Sequence, residues 1–139
     1  MPQNREKKIY KEMLPRMKGK KVDGIYFLLA NLEDMPSDAI PFLDRAIELN
    51  PGEGRYYFMR GQNYSQLYQN KDAKDEKADD DYSAAMVDFR QTIKMLHSSK
   101  DIRDTYEAMA VLRKEKKRKQ EEANRQAEEP KRLSLSQLT

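Results

Sequence analysis

Apolar residues recur at helical spacing along most of this chain, and they stop where charged residues take over. Ile9, Met13 and Met17 lie four apart, the interval that brings side chains onto one helical face, with Lys7, Lys8, Lys11 and Lys18 mostly off that stripe. Pro15 has no N–H for a preceding turn, so this helix ends near Leu14 or restarts there with the proline in its first turn, and Gly19 makes a stop. Ile25, Phe27, Leu28, Leu29 and Leu32 crowd a second, short helix from Val22. Ser37 and Asp38 then offer caps for a third, whose Ile40, Leu43, Ala46, Ile47 and Leu49 keep the helical period until Asn50, Pro51 and Gly52 end it. A further helix starts at Glu53 or Gly54 and carries Tyr57, Met59, Tyr64, Leu67 and Tyr68. Another runs from about Tyr82 through Met86, Phe89, Ile93 and Leu96. The last begins near Asp101 with Ile102, Tyr106, Met109 and Leu112 as its stripe, which fades past Leu112. The pattern predicts an all-α chain of short antiparallel hairpins.

From Arg113 to Glu129 the residues are nearly all Lys, Arg, Glu, Gln and Ala, strong helix formers with opposite charges four apart, as in Glu115 with Lys119 and Lys117 with Glu121. This predicts a long charged C-terminal helix exposed to solvent. No apolar seam continues to support a coiled coil. Pro130 is expected to end it, leaving 130–139 as a flexible tail in which Leu133 and Leu135 alternate with Ser134 and Ser136. Such a tail can add to a partner's sheet edge, and Arg132-Leu133-Ser134 has the look of a kinase site. The domain plan is therefore a basic N-terminal helix (1–21), a helical domain (22–112) with an acidic insertion at 70–81, a charged helical extension (113–129) and the tail.

Specific spacings within 22–97 resemble the tetratricopeptide repeat family, whose unit is a helix pair of about 34 residues. Ala39, Leu43, Ala46 and Pro51 fit the second helix of one unit. Tyr57, Gly61 and Tyr64 fit the first helix of the next, and Ala85, Phe89 and Thr92 its second. The resemblance implies a short α-solenoid in which small residues mark close helix crossings. Phe27 and Ala30 stand where glycine and tyrosine are usual, and His97 where the closing proline belongs. Tyr64 and Ala85 are 21 residues apart, which puts the acidic run inside the hairpin, either lengthening both helices or forming a loop. Two units are few for a stable stack, so the first and last helices are the expected caps; otherwise the chain dimerises or joins a larger complex.

The resemblance also implies a binding surface. In this family the inner face is lined by the first helix of each unit, here Lys21, Leu28, Asn31, Arg55, Phe58, Gln62, Ser65 and Gln66. Family members that grip acidic chaperone tails use a lysine, asparagine and arginine clamp, but Gly24, Leu28 and Met59 occupy the clamp positions in this chain. The expected role is a protein-binding adaptor or small structural subunit holding a partner's peptide or helix. A solvated helix face without a dedicated ligand is the plainer alternative.

Charge adds a second candidate. The net charge is only +3, yet eight Lys or Arg stand against two Glu in 1–21, and six Asp or Glu against two Lys in 72–81. Lys116, Lys117, Arg118 and Lys119 resemble a nuclear-localisation or nucleic-acid patch. A ribonucleoprotein component anchored by its basic termini is thus the alternative function. Interleaved aromatics for base stacking are missing from that run. A basic first helix also fits a presequence or a membrane surface, but its two glutamates and lack of serine oppose the former.

Other chemistry finds little footing. The chain has no cysteine and one histidine, His97, with no nucleophile or carboxylate in a defined relation to it, so no enzyme is expected. Asp79, Asp80 and Asp81 lack the glycine and glutamate of a calcium hand, and no glycine-rich phosphate loop occurs; no metal or cofactor is expected. No apolar run approaches a membrane span, which predicts a soluble, intracellular and most simply cytoplasmic protein.

Overall fold

A computed structural model describes residues 2–17 and 21–137. Among them are six α-helices and no strand: α1 (Pro2–Met13), α2 (Val22–Asn31), α3 (Pro36–Leu49), α4 (Gly54–Asn70), α5 (Ala78–Met95) and α6 (Ser99–Gln137). α1 runs into a single 3-10 turn, Leu14–Arg16, that holds Pro15 in its first turn, so the helix both stops and restarts around the proline. Met13 and Met17 are half-buried while Ile9 stays exposed. The stop expected at Gly19 lies outside the described residues.

Short connections make neighbours of consecutive helices. α2 packs on α3, α3 on α4 and α4 most extensively on α5, while α6 covers α5 and part of α4. α1 lies against α2, fastened by an ion pair between Lys7 and Glu33 at 3.0 Å. α1 and α6 thus lie on either side of the packed run α2–α5.

Small residues decide how closely the helices approach. A Cβ on Gly61 would lie 2.8 and 2.9 Å from ring atoms of Phe89, so α4 meets α5 with nothing between the glycine and the ring. Ala39 and Ala85 are likewise buried, as are Leu43, Ala46 and Thr92. One apolar cluster joins Ala30, Ala39 and Leu43 to Phe27, Phe42 and Met59. Phe27, where a glycine was usual, is accommodated by lying beside the Tyr56 ring at 5.1 Å. The larger cluster gathers Tyr68, Ala85, Met86 and Phe89 with Met109 and Leu112 of α6.

Between the clusters sits a buried charge. Arg60 donates from Nε and Nη2 to both carboxylate oxygens of Asp88 at 2.8 Å and from Nη1 to Asp44 at 2.9 Å, joining α3, α4 and α5. Burial pushes the Asp88 carboxyl above its ordinary range although the guanidinium opposes that shift. A second polar joint lies where α2 begins and α3 ends. Asp23 accepts from the Tyr56 hydroxyl at 2.6 Å and the Asn50 amide at 3.1 Å. Burial works against the charge on Asp23, but these donors prevail and hold its carboxyl below the usual range.

Several boundaries differ from the sequence pattern for local reasons. α3 starts at Pro36, not beyond it, because proline suits a first turn that needs no N–H; Ser37 and Asp38 lie within that turn and do not cap it. The acidic insertion is divided. Lys71–Lys77 forms turns stapled by the carboxylates of Asp72 and Asp75 on nearby amides, and Asp79–Asp81 opens α5 where the helix dipole favours anions. Thr105, not Tyr106, faces the core of α6, its hydroxyl donating to the Asp101 carbonyl. α6 does not stop at Pro130 but continues to Gln137. An exposed helix can leave the orphaned carbonyl to water there, so the proline weakens this stretch and does not end it.

Candidate functional site

α4 is polar along one side because its apolar residues are taken up by α3 and α5. Gln62, Asn63, Gln66 and Asn70 line a groove of about 530 Å³ whose other wall is Asp34 and Met35 of the α2–α3 turn with Pro36 at the start of α3. Gln62, Gln66 and Asn70 are exposed at intervals of four, while Asn63 donates its amide N–H to the Met59 carbonyl at 2.8 Å. Met35, which lines this groove, is 56% exposed, comparable with Val87, Tyr106 and Val111 elsewhere on the surface. No basic residue lines this groove.

The structure brings together only part of the predicted inner face. Gln62 and Gln66 share the groove, and Ser65 is half-buried next to them in sequence, its hydroxyl without a hydrogen-bond partner. Leu28 and Asn31 are exposed on α2 but do not line the groove. Phe58 belongs to the core, its ring 5.9 Å from that of Phe89. Arg55 folds onto its own helix start: Nε donates to Glu53 at 3.1 Å, and its guanidinium lies over Phe27 at 6.0 Å. That pairing holds the Glu53 carboxyl below its ordinary range. Lys21, in a left-handed backbone conformation with φ 47°, lines a separate depression with Leu14, Tyr26 and Arg45. Asp34, Met35, Asn63 and Asn70 were missed by the repeat pattern. The signal that marks Asn70 is its place four residues after Gln66, itself four after Gln62, in an uncharged polar stripe.

The basic run of α6 also departs from expectation. Ile102, Thr105, Met109 and Leu112 face inward at alternating intervals of three and four, and the next positions in that register are Lys116 and Lys119. Neither lysine points to open solvent. Lys116 lies over the Tyr82 ring at 4.3 Å, and Lys119, only 6% exposed, lies over Tyr68 at 5.3 Å and donates to the Lys71 carbonyl. Their methylene stems extend the apolar seam while their charges meet aromatic faces. Burial together with the acids Asp79 and Glu115 pushes the Tyr68 hydroxyl up to about 12, so it stays protonated under the lysine. Arg118 pairs with Glu115 at 2.6 Å and Glu122 at 3.1 Å. Of the four predicted tail cations, Lys117 alone has no such contact among the described residues.

Among the described residues no group of three or more His, Cys, Asp or Glu converges to hold a metal ion, and no helix is long and apolar enough to cross a membrane. His97 is exposed beyond the end of α5. Compared with family models, curated proteins and solved structures, the chain matches none.

Proposed function

We propose that this chain is a tetratricopeptide-like adaptor or small structural subunit, and that the groove between the α2–α3 turn and α4 holds a segment of a partner protein. The observation that carries this reading is the concave, carboxamide-lined wall of α4 beside an exposed Met35. Amides that both donate and accept suit polypeptide, and an unburied methionine supplies apolar area for a partner to cover. The small-residue crossings at Gly61, Ala39 and Ala85 support the repeat-like stacking, since they fall where that family's units cross.

The alternative, a nucleic-acid component held by basic termini, has less support. Lys116, Arg118 and Lys119 already have partners within the chain, and the groove carries a carboxylate and no cation. Affinity capture separates the two. The intact chain, a form ending at Leu112 that lacks Lys116, Lys117, Arg118 and Lys119, and a variant carrying Gln62→Ala, Gln66→Ala and Asn70→Ala are compared at low and raised salt. The groove reading predicts that the triple variant loses the partner while the shortened form keeps it. Loss only on shortening, or retention that collapses steeply with salt, overturns it in favour of the tail.

A further inference from the structure

We infer that the depression where the turn after α1 meets α2 and α3 binds a small carboxylate with an apolar body, a short fatty acid or an acid of similar shape. It shares no residue with the α4 groove and does not depend on the partner-binding reading. The depression holds about 450 Å³, a size typical of small-molecule sites. Leu14 comes from the turn after α1, Val22 and Tyr26 from α2, and Leu49 from the end of α3. The first three are half-buried and Leu49 is 43% exposed, so each has apolar surface left for a ligand to cover.

Two cations line the same space from different elements. Lys21, just ahead of α2, is exposed and has no ion-pair partner among the described residues. Arg45 of α3 gives one N–H to Glu48 at 2.9 Å, an exposed pair that contributes little, and a guanidinium has five such donors. Asp23 also lines the depression, but its carboxylate already accepts from the Tyr56 hydroxyl and the Asn50 amide. One carboxylate against two cations suits a ligand carrying a single negative charge. It opposes a phosphate dianion, and a nucleic-acid backbone would need a longer row of cations than these two. An apolar molecule without charge would cover the walls and leave both cations unanswered.

The position gives the ligand something to do. No described residue of 4–17 is fully buried, and Lys7 with Glu33 makes the one ion pair that ties α1 to the rest. A molecule seated between Leu14, Val22 and Leu49 adds contacts across that junction and holds α1 in place.

The test follows the methyl signals of Leu14, Val22 and Leu49 by NMR in the isotope-labelled full chain while octanoate, octanol, octylamine or inorganic phosphate is added. Octanoate is expected to shift them saturably with a Kd of about a millimolar, octanol to bind at least about threefold more weakly, and octylamine and phosphate to leave them in place. Lys21→Gln and Arg45→Gln should each weaken octanoate about threefold. Lys21→Gly separates binding from folding, because glycine suits the left-handed backbone at φ 47° that lysine adopts there. It should raise the urea midpoint and still weaken octanoate about threefold. Octanoate at ten times its Kd should also slow amide exchange in α1 by up to about tenfold. Octanol or octylamine binding as tightly as octanoate, phosphate alone moving the same signals, all three variants binding as the parent does, exchange in α1 unchanged by bound octanoate, or no shift at ten millimolar octanoate each overturns the inference.

Discussion

Replacing Gly61 with alanine adds one methyl group at the tightest crossing of the fold. The new Cβ would sit 2.8 Å from Phe89 Cε1, 2.9 Å from Cδ1 and 3.3 Å from the Asp88 Cβ. Phe89 is fully buried between α4 and α6, so its ring cannot swing clear without opening the larger cluster. Forcing a methyl into such a core costs about 1–3 kcal/mol. Alanine also favours the helix over glycine by about 1 kcal/mol, which conceals part of that cost. Gly24→Ala supplies the comparison, because a Cβ there meets nothing within 4 Å. Gly24 is in the first turn of α2, so its propensity gain is about 0.5 kcal/mol. Gly24→Ala should therefore stabilise by about 0.5 kcal/mol and Gly61→Ala destabilise by up to about 2 kcal/mol, the two differing by about 0.5–2.5 kcal/mol in urea unfolding followed by circular dichroism. Equal stabilities for the two variants would refute the claim that the α4–α5 crossing is set by the missing side chain.

Arg60→Met leaves the Asp88 carboxylate buried without its partner and should cost about 3 kcal/mol; adding Asp88→Leu should recover most of it in the same unfolding assay. A double variant no more stable than Arg60→Met would show that the pair itself is needed. Lys119→Gln removes the charge over Tyr68 and weakens the bond to the Lys71 carbonyl, so amides of 113–120 should exchange about tenfold faster. Unchanged exchange would mean α6 is held only as far as Leu112. Asp23 has a folded pKa below its unfolded value of about 3.9, so its contribution is present above that pH and is lost as pH falls through the folded value. Asp88 has the opposite sign, its raised value costing stability at neutral pH and returning it on acidification. Asp23→Asn should therefore flatten the acid-side loss of stability relative to the parent chain, as measured by urea midpoints at a series of acidic pH values.

The helices were legible because their apolar periods and terminators are local signals. Pro51 and Gly52 end α3 as read, and Ala39, Leu43, Ala46, Gly61, Ala85 and Phe89 are all buried, as the repeat resemblance implied. The seam of α6 was not legible past Leu112, because lysine counts as polar in any hydrophobic pattern. Only the partners Tyr68 and Tyr82, far off in sequence, turn Lys116 and Lys119 inward. Arg60 escaped notice for the same reason, since Asp44 and Asp88 come from two other helices. Tyr106 and Thr105 are adjacent, and a shift of one residue in helical phase exchanged them. Half of the groove was out of reach too, because Asp34 and Met35 join it from a turn whose position follows from the packing of α2 on α3.

The role proposed for the polar face of α4 is to be covered by a partner. A photo-crosslinking side chain placed at Gln66, at Val87 on the exposed side of α5, or at Lys117 on α6 tests it directly in cells that make the protein. Crosslinks to a discrete partner from position 66, with little from 87 or 117, are the predicted result. Crosslinks from 117 alone, with position 66 silent, would contradict it.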